Sequence, residues 1–184
     1  MTLRPCPWRA SLIVSALVLL LSGVTACDRQ SDPPPSPSAS SAQSLDEDIA
    51  RSQVKAAFDG WYGVYANAVT TGKYRREDFA RYATEEKVAA VVKDLKDLDE
   101  LNVVYRGKPT WTAEVTSLNL DARPPSASLR VCLDLSKSTP VDRTTGENLR
   151  PKDELPRVLL IATATQADGR WLVADTTTQR TTPC

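Results

Sequence analysis

No histidine occurs in the 184 residues, so any chemistry here must be built from thiols, carboxylates, amines and phenols. Ser-His-Asp and Cys-His nucleophile pairs, histidine general bases and histidine-based metal sites are excluded. Four cysteines are present. Cys6 lies in an apolar amino-terminal segment and Cys27 at the end of it, both outside the expected folded domain. Cys132 and Cys184 are left, and two remaining cysteines in an exported protein most simply form a disulfide. Such a bridge closes about 50 residues and removes on the order of 4 kcal/mol of unfolded-state entropy; two free thiols are the alternative. Carboxylates are plentiful, but few stand where a general base would work. Asp134 alternates with Leu133 and Leu135, and Cys132 with Val131 and Leu133, so both should face away from the core. Asp175 shares strand parity with Trp171 and Val173 and is expected to point inward. One carboxylate without a named partner is not a catalytic constellation. No catalytic residue, metal ligand or cofactor is assigned.

Aromatic side chains form the other candidate cluster. Trp61, Tyr62 and Tyr65 fall close together on one helix surface, each phenol or indole joining an apolar body to a polar tip. That combination suits a small amphipathic ligand, and equally a core with satisfied hydroxyls. A third candidate is the polar stretch from Ser136 to Pro156, whose four bases and four acids cancel. Asp142, Arg143 and Glu147 mark it as a partner surface. Asp142 to Glu147 has a faint likeness to a calcium loop, but lacks acidic or amide ligands at its third and fifth positions.

Residues 1–26 address the protein. Arg4 and Arg9 precede an apolar run from Ala10 to Gly23, and Val24-Thr25-Ala26 close it, the charged, apolar, small-residue order of a secretory signal. The run is shorter than the roughly 20 residues a spanning helix needs. Val24-Thr25-Ala26-Cys27 resembles a bacterial lipobox, which implies acylation of Cys27; cleavage by the general peptidase, with an ordinary Cys27, is the alternative. Residues 27–45 follow as a tether. Four prolines and six serines between Asp28 and Leu45 cannot bury enough surface to fold, and an extended chain of that length reaches roughly 55 Å. The whole chain carries 23 basic and 23 acidic side chains. Losing Arg4 and Arg9 with the signal leaves a balance of −2, and neither figure suggests a nucleic-acid footprint. The expected location is the extracytoplasmic face of a membrane, with the bilayer itself as one partner.

The folded domain is expected over residues 46–184. Ile49, Val54, Phe58, Trp61, Tyr65 and Val69 recur at helical spacing, with Asp46, Glu47 and Asp48 at the favourable end of the helix dipole. Gly60 and Gly63 weaken that helix and Gly72 ends it. A short helix follows from Arg76 to Tyr82. Thr84 then caps a third, whose apolar face is Val88, Val91, Val92, Leu95 and Leu98. Its other face, with Lys87 and Asp94 among its charges, reads as solvated. After Leu101 the period becomes two: strands run through Trp111, Ala113 and Val115, through Leu129 to Leu135, from Val158 to Thr165 and from Trp171 to Thr177. Pro124-Pro125 marks one turn and Asp168-Gly169 a hairpin. Helices before strands predict α+β, with N-terminal helices packed on a curved antiparallel sheet. The 21 residues from Ser136 to Pro156 read as a loop that is functional or disordered.

This element order resembles the cone fold of the nuclear transport factor two and ketosteroid isomerase family. The signal, the Ser/Pro tether, the Val131-Cys132-Leu133-Asp134 strand, the Asp168-Gly169-Arg170-Trp171 hairpin and the terminal Cys184 are together similar to those of actinobacterial cell-surface lipoproteins, a likeness that implies a location and a fold, and no reaction. The cone resemblance implies a cavity between helices and sheet, lined by Trp61, Tyr62, Tyr65, Trp111 and Trp171, with Asp175 entering by parity. Two functions are expected: a non-enzymatic module binding an envelope protein, or a small-ligand pocket remotely akin to an isomerase or cyclase. An open cavity of about 300 Å³ or more holding Asp175 favours the second, and a cone filled by Trp61, Trp111 and Trp171 favours the first.

Overall fold

A computed structural model describes residues 39–184, and side chains from Ser44. The signal, Cys27 and most of the tether lie outside the described residues. Helix α1 runs Ala39–Thr71, seven residues earlier than the expected start at Asp46. No proline occurs between Pro37 and Pro109, so nothing prevents the serine- and alanine-rich stretch from extending a helix anchored further on. Asp46, Glu47 and Asp48 therefore lie inside α1 and not at its amino end. Gly72 ends the helix at φ 68°, its N–H donating to Ala68 O at 2.8 Å, as a C-cap glycine does. The short α2 (Arg76–Ala80) and α3 (Glu85–Glu100) follow. Thr84 accepts a hydrogen bond from Lys87 N at 3.3 Å and so caps α3. Among the described residues no helix is long and apolar enough to cross a membrane.

The strands make two antiparallel sheets. In the larger, β2 (Thr110–Asn119), β3 (Ser126–Asp134), β5 (Arg157–Ala167) and β6 (Arg170–Gln179) lie side by side in that order. The β5–β6 hairpin turns on Asp168 and Gly169, both at positive φ, the backbone that a two-residue type I′ turn requires. The smaller sheet pairs β1 (Val103–Arg106) with β4 (Thr139–Asp142). The expected 21-residue loop thus contains a strand, too short to give a periodic signal. The fold is α+β, with the helices against one face of the open four-stranded sheet.

The core lies between that face and the helices. Val54, Phe58 and Trp61 of α1, Val88 and Val91 of α3, and Leu129, Val131, Ala162 and Val173 of the sheet are buried together. Gly60 serves this packing. A Cβ there would come within 2.6 Å of Tyr82 Cδ1 and 2.7 Å of Cζ, whereas one at Gly63 would meet nothing within 4 Å. On the opposite face the tail crosses β5, Leu159 N donating to Thr182 O at 2.9 Å. It brings Cys184 to Cys132 at disulfide distance, with Cα atoms 5.5 Å apart. Strand alternation placed Cys132 on that outer face, and it is there.

Candidate functional site

The site begins with an irregularity in β6. Val173 pairs with Ala164, but Asp175 pairs with Thr163, leaving Ala174 as an extra residue. A bulge of this kind inverts the alternation beyond it. Before it, Trp171 and Val173 face the core; after it, Thr176 and Thr178 lie opposite Ala162 and Leu160 on the core face. Asp175 therefore shares the outer face with Thr163 and is exposed. The expectation that Asp175 points inward is corrected.

Between the bulged end of β6, α1, α3 and the small sheet lies a cavity of about 580 Å³. Trp61, Tyr62, Tyr65 and Val69 of α1 form one wall, and Lys87, Val91 and Leu98 of α3 another. Leu133, Leu160, Thr176 and Thr178 contribute the sheet side, and Tyr105 of β1 closes one end. Exposed Asp94, Leu149, Pro151 and Arg180 frame its opening. Three of the expected lining residues, Trp61, Tyr62 and Tyr65, are brought together here. Trp111 stands behind them, edge-on to Tyr62 with ring centroids 4.9 Å apart, its Nε1 donating to Asp59 Oδ1 at 2.8 Å. Trp171 is core, its buried Nε1 without a hydrogen-bond partner. Neither lines the cavity.

The aromatic wall is stacked within itself. Trp61 and Tyr65 are parallel at 6.1 Å, and Phe58 and Tyr62 at 5.8 Å. Among the described residues the hydroxyls of Tyr62, Tyr65 and Tyr105 have no hydrogen-bond partner. Burial drives the Tyr62 and Tyr65 phenols well above the usual tyrosine range. Tyr65 and Tyr105 add to the rise at Tyr62, while Tyr105 and then Asp94 add to it at Tyr65, where Arg180 opposes. Tyr105 is raised as well, by burial first. All three are neutral phenols at physiological pH, able to donate and accept.

Charge enters from three sides. Lys87, expected on the solvated face of α3, is half-buried: its Nζ lies 5.1 Å above the Trp61 ring and donates to Thr176 Oγ1 at 2.6 Å. Desolvation lowers its pKa, with Asp175 and Asp94 pulling the other way. Glu154, whose side chain is 8% exposed, holds Arg180 Nη1 at 2.5 Å and Arg150 Nη1 at 3.4 Å. Arg150 Nη2 also donates to Leu135 O at 2.7 Å and to Ser138 O. Lys87, Tyr105, Arg150, Glu154 and Arg180 were not foreseen.

The proposed partner loop is bound up with the fold. Asp142 Oδ1 accepts from Thr144 N at 2.9 Å and Thr145 N at 2.7 Å, and its Oδ2 accepts from Asn102 Nδ2 at 3.1 Å. Arg143 Nη1 donates to Asp99 Oδ1 at 2.8 Å. These side chains tie the turn after β4 to the end of α3, while Glu147 is exposed. No group of three or more acids or cysteines among the described residues could hold a metal ion.

No protein-family model and no curated protein matches the chain. Among solved structures, it is similar to the crystal structure of the intermembrane space region of chloroplast protein ARC6. The two are 13% identical, the match covers 78% of this chain and 98% of that one, and the TM-score is 0.47.

Proposed function

We propose that the chain is a membrane-tethered extracytoplasmic lipoprotein whose α+β domain holds a small amphipathic molecule between its helices and its sheet. The tether part rests on the signal-like residues 1–26, the lipobox-like Cys27 and the Ser/Pro segment after it. The cone resemblance supports a cavity in this place. One observation carries the binding part: a cavity of about 580 Å³ with Trp61, Tyr62 and Tyr65 as its aromatic wall. Pockets of roughly 300–1,000 Å³ with apolar walls and few polar groups are what small ligands occupy. The buried indole N–H of Trp61, a residue of that wall, has no hydrogen-bond partner among the described residues, and such a group favours a ligand or ordered water that supplies one. The reading the sequence favours first, a protein-binding loop at Asp142, Arg143 and Glu147, is weakened because the first two side chains are already engaged within the domain.

The test uses a neutral fluorophore, N-phenyl-1-naphthylamine, titrated into the full chain. Saturable binding at one site, abolished by Thr178→Trp, is expected: Thr178 lines the cavity yet is solvent-exposed, so an indole there fills space without overpacking the core. Unsaturable binding, or binding indifferent to Thr178→Trp, refutes the pocket.

A further inference from the structure

The charges around the cavity are unequal. Lys87, Arg150 and Arg180 line it against only Asp94 and Glu154. Glu154, the one deeply placed carboxylate, is shared by both arginines, so a ligand cation would find its charge already answered. Asp94 is exposed at the rim, where water screens it. The face of Trp61, the best ring for a ligand cation, is covered by the ammonium of Lys87. Lys87 itself is poorly answered: no carboxylate lies within 4.0 Å of its Nζ among the described residues, and its hydrogen-bond partner is the neutral Thr176 hydroxyl. An ammonium has three donors, so two are left in a half-buried position. Asp175 and Asp94 reach it only through their fields.

We infer that the cavity takes an amphipathic monoanion, a carboxylate on an apolar or aromatic body, with the carboxylate at Lys87 Nζ and the body against Tyr62, Tyr65, Val91 and Leu160. This rests on the pocket reading above and adds the ligand's charge and its orientation. The four body contacts are apolar or aromatic surfaces lining the same cavity as the ammonium. Binding supplies the missing counter-charge of Lys87 and leaves the Glu154 network intact. The neutral phenols of Tyr62 and Tyr65 oppose no anion, and their hydroxyls remain available as donors.

Three naphthalene probes of one shape and different charge decide it. 2-Naphthoate, 2-naphthalenemethanol and 2-naphthylmethylammonium compete against bound N-phenyl-1-naphthylamine on the full chain at neutral pH. Naphthoate should displace the fluorophore at about tenfold lower concentration than the alcohol, the size of one charge-assisted hydrogen bond, and the ammonium should be weakest. Lys87→Met keeps the apolar stem and should erase the preference for naphthoate, while Lys87→Arg preserves it. Saturable one-site fluorophore binding to Lys87→Met, at whatever affinity, shows that the cavity persists, and the probes are compared as ratios within that variant. If naphthoate is no better than the alcohol, or its advantage survives Lys87→Met, the anion assignment is overturned while the pocket stands. Failure of the fluorophore to occupy one site in the unaltered chain removes the pocket, and this inference with it.

Discussion

Two glycines three positions apart in α1 should respond oppositely to the same substitution. Glycine in a helix interior costs up to about 1 kcal/mol relative to alanine, chiefly through backbone entropy. At Gly63 an added methyl meets nothing within 4 Å, so Gly63→Ala should stabilise by about 0.5–1 kcal/mol. At Gly60 the same gain is set against the Tyr82 ring, 2.6 Å from the new carbon at Cδ1. That ring cannot simply withdraw. Tyr82 N donates to Phe79 O at 2.9 Å and Tyr82 O accepts from Val173 N at 2.8 Å, which fixes its backbone from both sides. Overpacking of this kind costs about 1–3 kcal/mol, so Gly60→Ala should come out neutral to about 2 kcal/mol destabilising. The two variants should therefore differ by about 1–3 kcal/mol in urea denaturation. At roughly 2–4 °C per kcal/mol for a domain of this size, that is visible in thermal melts as well. Adding Tyr82→Ala should return the helical gain at position 60, a coupling that a double-mutant cycle measures. Equal effects of Gly60→Ala and Gly63→Ala would refute the claim that Tyr82 dictates glycine at position 60.

Further outcomes follow from other parts of the molecule. Cys132 and Cys184 are separated by 52 residues, so Cys132→Ala with Cys184→Ala should lower stability by about 4 kcal/mol on the loop-entropy estimate, and a non-reducing peptide map of the unaltered protein should join the two. Hydrogen bonds from Thr145 N first, and from Thr144 and Asn102, hold Asp142 below the usual carboxylate pKa. Its contribution is therefore present above the unfolded value of about 4 and lost as pH falls through the lower folded value. The urea midpoints of Asp142→Ala and the parent should differ at pH 7 and converge in strong acid; a gap that persists there contradicts the assignment. Cys27→Ala should leave the membrane fraction, since stable anchoring takes two acyl chains or an equivalent second signal. Retention of that variant in the membrane excludes the lipid anchor.

The parts of the fold readable from the sequence are those with a local cause. Thr84 caps α3 because its hydroxyl reaches the first turn, and Asp168-Gly169 turns the hairpin because both adopt positive φ. Each is a property of a few adjacent residues. Cys132 was placed correctly because no bulge interrupts β3 between it and its neighbours. Asp175 was misplaced by the same reasoning for the opposite cause: nothing about Ala174 announces that it will be the unpaired residue, since alanine fits a regular strand as well as a bulge. Lys87 escaped notice because helical periodicity counts apolar residues, and a lysine can lay its stem along an aromatic face while counting as charged. Arg150, Glu154 and Arg180 meet through folding of the whole domain, which no local pattern encodes. The short β1 and β4 are legible only as a pair.

The extra residue in β6 decides which side chains line the cavity. Were Ala174 paired with Thr163, regular alternation would carry Asp175 opposite Ala162 and Thr177 opposite Leu160, on the core face in place of Thr176 and Thr178. The bulge therefore keeps a carboxylate out of that wall and gives Lys87 a hydroxyl instead. A one-residue slip of β6 past Ala174, with no change in the length of the chain, would bring a negative charge into the wall and leave the residues of α1 and α3 as they are.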